Sequence, residues 1–172
     1  MDGETPGKGA NGAKIFLLWR IVMENNSATL LDIVNNLIAL QKEGDYWDFK
    51  CNYNKNIDLM FDIICMANSL SSSDDRYIIV GVSESDGIFT VTGVEKNYMT
   101  QANIIDSLRN MNFSSSIPDI YLSKIEINNS NIDVIKIKNS QNKPYFLLKD
   151  YTRDGKRISR GVIYTRNGDS NT

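Results

Sequence analysis

Histidine is missing altogether from the 172 residues, cysteine occurs twice and proline three times. The first absence excludes Ser-His and Cys-His nucleophile pairs and any His-ligated zinc site. Two cysteines, Cys51 and Cys65, neither close a zinc tetrahedron nor form a disulfide framework, so the expected setting is reducing, intracellular and cytoplasmic. Both are expected as small buried hydrophobes. No apolar run is long enough to cross a bilayer, so no membrane partner is expected. There is no Gly-rich phosphate loop of the kind that cradles ATP. Any acid–base or metal chemistry must therefore rest on carboxylates, lysines or tyrosines.

Charge is present in near balance, with a net of −2, but it is unevenly placed. From Lys143 onward seven basic residues stand against three acidic ones, a surplus of four, which leaves −6 for the rest of the chain. A basic end on an acidic body is the footprint of a surface that faces a polyanion, although a solvated loop with scattered charges has the same composition. In that end Tyr145 and Tyr151 interleave with Lys149, Arg153, Lys156, Arg157, Arg160 and Arg166. Cations neutralise phosphates and tyrosines stack on bases, so these residues are the candidate nucleic-acid contacts. No segment reads as a major-groove helix, so contact with the phosphate backbone is expected, of DNA or RNA alike.

The length fits one domain with a core of its own. Residues 1–22 read as a leader or extension, polar and Gly-rich to about residue 12 and apolar over 14–22, with the domain proper spanning residues 23–172. Helices are expected over residues 28–42, with Ser27 or Thr29 as N-cap, over 57–68, and from Thr100 or Asn103 to Met111. Strands are expected over 46–51, 77–82, 88–94, 121–127, 132–137, 145–148 and 162–166. The run 77–82 is apolar throughout, as in a central strand covered on both faces. Asn128 to Asn131 make a hairpin turn. The fold class is α+β, a single domain with a mixed, mostly antiparallel sheet of about six strands packed with three helices. Exposed strand edges and the apolar leader make a homodimer an expectation.

One stretch carries chemistry as well as packing. Read as a strand from Tyr46, it puts Trp47 and Phe49 on one face and Tyr46, Asp48 and Lys50 on the other. Glu43 lies just upstream, where a turn at Gly44 brings it towards Asp48. The plain reading of Asp48 and Lys50 is an ion pair on a strand face. Glu84 and Asp86 are equally natural turn acids beside Gly87.

Taken together, Glu43…Asp48-Phe49-Lys50, Ala67-Asn68-Ser69, Tyr77-Ile-Ile-Val-Gly81-Val82, Glu84-Ser-Asp86-Gly87, Gly93-Val94, Ser140…Pro144-Tyr145 and Gly161-Val-Ile-Tyr164-Thr-Arg166-Asn-Gly168 resemble, in order, the motifs of the Schlafen AlbA-like domain. The resemblance runs from about Ser27 to Thr172. It departs where Leu70 to Arg76 replace a shorter Gly-Gly, where Asp48 stands for a glutamate, and where the zinc site of Schlafen proteins has no ligands. Relatives usually continue into further domains, so an N-terminal part of a longer protein is expected.

That resemblance implies a nucleic-acid-binding domain of a transcriptional or RNA-related regulator. Its nuclease members imply an alternative, an Mg²⁺- or Mn²⁺-dependent endoribonuclease. There Glu43, Asp48 and Glu84 (or Asp86) would be the metal carboxylates and Lys50 would contact the scissile phosphate. Hard divalent ions prefer such oxygen ligands. A protein-interaction domain is the remaining reading.

Overall fold

The computed structural model describes residues 29–53, 55–72, 75–95 and 98–172. The leader expected over residues 1–22, and Ser27, lie outside them. The chain divides into two units, Met1–Asn35 and Asn36–Thr172. Helix α1 (Leu30–Ala39), which runs through the boundary, begins behind Thr29, whose hydroxyl accepts from the Asp32 amide at 3.2 Å while its own amide donates to the Asp32 carboxylate at 3.1 Å. This satisfies amides that a helix start leaves orphaned, and the Thr29 hydroxyl, which donates to the Asp32 carboxylate at 2.7 Å, holds that carboxyl below its usual value, with the Thr29 amide adding to it.

The second unit carries a four-stranded sheet in the order β1-β2-β6-β5, formed by β1 (Trp47–Lys50), β2 (Asp75–Val80), β5 (Ile120–Ile127) and β6 (Ser130–Lys138). β1 and β2 run parallel, with Asp48 opposite Ile78 and Lys50 opposite Val80; the other pairings are antiparallel. A parallel pair needs a long crossover, and helix α2 (Asn56–Asn68) supplies it. Helix α3 (Gln101–Arg109) starts with a capping box in which Thr100 and Asn103 satisfy each other's amides. Ile57, Met60, Ile63 and Ile64 of α2, Ile104 and Leu108 of α3, and Ile78, Val80, Ile135 and Ile137 of the sheet share one core. At roughly 25 cal/mol per Å² of apolar area, this burial is the main term holding the domain together. Asn128 and Asn129 both take positive φ (51° and 60°) between β5 and β6, the left-handed backbone a tight hairpin requires.

The α+β class and the three helices are as expected, and the strands differ in three places. The run through Gly81 is broken in two. Gly81 has φ 107°, and a Cβ there would stand 2.7 Å from the Ile132 side chain. The chain turns at that point into β3 (Val82–Ser85), which pairs with β4 (Ile88–Val91) as a separate hairpin. Residues 145–148 form only a single bridge, Phe113 to Leu147. Residues 162–165 are no strand either; Val162 and Ile163 are exposed, and pairing begins only with β9 (Arg166–Asn167) and β10 (Ser170–Asn171). Between them, β7 (Tyr151–Arg153) and β8 (Lys156–Ile158) form a third small hairpin. The main sheet therefore has four strands, not six. Cys65 is buried, with its thiol pushed up to about 12 first by burial and then by Asp62, whereas Cys51 is exposed, contrary to expectation.

Candidate functional site

Asp48 and Lys50 share a face of β1, as their spacing predicts. That face is not open to solvent. Through the register with Ile78 and Val80, both of which pack into the core beneath α2, it is the face that α2 covers. Asp48 is therefore 2% exposed. α2 adds Asp62, and the β9–β10 hairpin adds Arg166 and Asn171. The Arg166 guanidinium, its side chain 2% exposed, donates to Asp48 and to Glu43 at 3.1 Å each, to the Gly44 carbonyl at 2.7 Å, to Asn171 at 3.2 Å and to the Trp47 carbonyl at 3.4 Å. Lys50 bridges Asp48 at 2.7 Å and Asp62 at 3.2 Å, and the Asn171 amide donates to Asp62 at 2.7 Å. Gly44 is needed where it stands, because a Cβ would lie 2.3 Å from the Trp47 ring.

Three carboxylates meet two cations in this cluster. The surplus negative charge in a poorly hydrated place is expressed as raised carboxyl pKa values. Glu43 is pushed up to about 7, first by burial and then by Asp48; Asp62 is pushed up to about 6 by burial, with Asp48 adding to it and Lys50 opposing. Burial works against the Lys50 charge, but Asp48 and Asp62 outweigh it and hold the ammonium above its ordinary value.

Of the expected catalytic set, Glu43, Asp48 and Lys50 come together and Glu84 does not join them. Glu84 sits on β3 and accepts the Gly87 amide at 3.0 Å, as a turn acid does, while Asp86 occupies that turn with φ 53°. Glu43 and Glu84 line a common cavity of about 530 Å³, walled also by Phe49 and Phe89, whose rings lie 5.1 Å apart. The residues do not fit a divalent ion. Arg166 already holds Glu43 and Asp48, Lys50 holds the other Asp48 oxygen, and among the described residues no group of three or more acids or cysteines gathers to hold a metal. Of the three carboxylates expected to hold Mg²⁺ or Mn²⁺, Glu43 and Asp48 are thus ion-paired with Arg166 and Lys50, and Glu84 stands apart from them on β3. Lys50, expected at a scissile phosphate, is paired with two carboxylates, its side chain 28% exposed. Asp62 and Asn171 were not foreseen; in sequence Asp62 reads as the polar side of α2.

The basic segment divides in the same way. Lys149, Arg153, Lys156, Arg157 and Arg160 are exposed. Arg153 and Lys156 flank the Asp154-Gly155 turn of the β7–β8 hairpin, where Asp154 and Gly155 have φ of 53° and 75°. Lys156 pairs with Asp58 of α2, and Arg157 approaches Asp150 at 3.6 Å. Lys55 reaches the Asp154 carbonyl at 3.5 Å and ties the start of α2 to the hairpin turn. Arg166 leaves this group, since its buried guanidinium is a clamp and not a phosphate contact. Asn68 locks the segment down. Its side chain donates to the Tyr145 and Tyr164 carbonyls at 2.8 Å each and accepts the Tyr145 amide at 2.7 Å.

No helix among the described residues is long and apolar enough to cross a membrane. No curated protein matches the chain. Among solved structures, the N-terminal domain of a RecG-related protein from Nitrosomonas europaea is similar, with a TM-score of 0.50 and 13% identity over 84% of this chain and 90% of that one, a likeness of fold. The family model described as Schlafen, AlbA_2 matches residues 43–172, from Glu43 through the cluster and the basic hairpin to the last residue, and the chain belongs to that family.

Proposed function

We propose that this chain is a nucleic-acid-binding domain that grips the phosphate backbone through its basic C-terminal segment, as a module of a transcriptional or RNA-related regulator. The observation that carries the reading is the β7–β8 hairpin. It holds Arg153, Lys156 and Arg157 at the surface, flanked by the exposed Lys149 and Arg160, on a scaffold locked by Asn68. Membership of the Schlafen AlbA_2 family supports it. Exposed cations of this kind release counterions when they meet phosphates, so binding weakens steeply with salt. The proposal concerns the phosphate backbone and assigns no base-edge contact to the three-residue strands of the hairpin.

The test is a titration of the purified protein with labelled oligonucleotides across a series of salt concentrations. Binding that falls linearly on a log–log salt plot, and that charge reversal at Arg153 and Arg157 removes, is the expected result. Binding absent at low salt, or indifferent to those reversals, would overturn the proposal.

A further inference from the structure

Beside the hairpin lies a pocket of about 350 Å³ formed by Ile57, Asp58 and Phe61 of α2 and Lys156, Arg157 and Ile158 of β8. Its walls are of two kinds. Its apolar floor is the half-buried Phe61 ring, backed by the buried Ile57 and Ile158 and braced edge-on by Tyr164 at 5.1 Å between centroids. Lys156 and Arg157 stand at its sides. Ligand pockets begin at about 300 Å³, so this one suits a single ring system.

The charges around it decide what that ring system belongs to. Both bordering cations already have carboxylate neighbours, Asp58 for Lys156 and Asp150 for Arg157. The electrostatic pull on a phosphate chain is thus only partial, and apolar contact with the floor must supply discrimination. An intact duplex offers its backbone but hides its base faces in the stack. A single strand offers phosphates and free base faces together, and a base seated on an aromatic or aliphatic floor is a sequence-tolerant contact. We infer that the pocket between α2 and β8 is a base-binding subsite, and that the hairpin's ligand is single-stranded nucleic acid, one unpaired base entering the pocket while Arg157 and its neighbours hold the adjoining phosphates. This rests on the nucleic-acid reading above and narrows it.

The test uses the whole chain and fluorescence anisotropy. The probes are a 12-nucleotide single strand, the blunt duplex of the same sequence, and the same strand with abasic sites in place of bases, each as DNA and as RNA. The expected result is that the single strand binds roughly ten-fold or more tighter than the duplex and that the abasic strand falls to the duplex level. Phe61→Leu, which keeps apolar volume and removes the ring, is expected to weaken the single strand several-fold and more than it weakens the duplex. Because Phe61 also braces Tyr164, the abasic probe on the unaltered protein decides the matter without the variant. Equal affinity for single strand, abasic strand and duplex would overturn the subsite and leave the backbone-binding reading standing. No binding of any probe at low salt would overturn both. Preference for the DNA or the RNA strand assigns the sugar.

Discussion

Two arginines nine residues apart show how differently the same side chain is used. The Arg166 side chain is 2% exposed and makes five hydrogen bonds, to Glu43, Gly44, Trp47, Asp48 and Asn171. Arg157 is 64% exposed and has one carboxylate at 3.6 Å. The inner cluster sets three carboxylates against two cations and the outer segment carries a basic surplus, but net charge alone does not fix how each arginine is used. Depth does. A guanidinium stripped of water must be paired or it is ruinous, while one in water exchanges partners at almost no cost. The inner cluster pins the chain end to β1 and α2. The outer hairpin keeps its cations available.

The sharpest way to break this comparison is to remove the inner cation. Arg166→Met is expected to destabilise the domain by about 3–5 kcal/mol, because Glu43 and Asp48 are left facing each other in a buried place. Thermal or urea unfolding reads this directly. A loss under 1 kcal/mol would mean that the cluster is wetter than its burial indicates. The converse change is on the hairpin. Arg153→Glu with Arg157→Glu is expected to leave stability within about 0.5 kcal/mol, as surface changes generally do. The same pair should weaken oligonucleotide binding at least ten-fold at low salt and lower the log–log salt slope by about 1–2. Salt-series titrations beside a melting curve check both halves.

The elements that could be read in the sequence are those whose signals are local. Asn128 and Asn129 announce a left-handed turn, Thr29 and Thr100 announce helix starts, and the apolar run from Tyr77 announces a covered strand. Gly81 was visible as a glycine but not as a break, because the Ile132 methyl that forbids a Cβ comes from a strand fifty residues on. Asp48 and Lys50 were placed correctly on one face. Which face α2 would cover depends on a crossover that period-two alternation cannot specify. Arg166 was grouped with the cations that precede it, since a basic run carries no record of depth. The clue was weak but present: Arg166 stands in the only part of the basic end flanked by Asn and Gly turn residues, where a hairpin folds back on the body.

Protonation offers a finer probe of the inner cluster. Glu43 and Asp62 have folded-state pKa values of about 7 and 6, both raised above their ordinary ones. For a carboxyl raised on folding, the native state binds the proton more tightly. Its contribution is therefore present in full below the unfolded pKa and is lost as pH rises through the folded one. Stability should accordingly fall between about pH 5 and pH 8, on the order of 1 kcal/mol. Glu43→Gln is expected to flatten the upper part of that fall, which urea unfolding at several pH values measures. A profile that stays unchanged in the variant would place the titration elsewhere.

The smallest effect tests the outer region from its own acid. Asp58 lies at the start of α2 and pairs with Lys156. It is partly exposed, and exposed pairs contribute at most about 1 kcal/mol and often nothing measurable. Asp58 also lies in the first turn of α2, where a carboxylate is worth about 0.3–1 kcal/mol against the helix dipole. Asp58→Asn should therefore cost under 1 kcal/mol in a melt. Its effect on binding has the opposite sign. Releasing Lys156 and removing a negative charge beside the phosphate path should tighten oligonucleotide affinity by a few-fold and steepen the salt slope by a fraction of one charge. An inner carboxylate behaves otherwise: Asp62→Asn takes a partner from Lys50 and offers the ligand nothing, so it should alter the melt and leave the salt slope untouched. If Asp58→Asn weakens binding instead, the hairpin's orientation depends on that ion pair, and the outer region is as firmly built around its charges as the inner one.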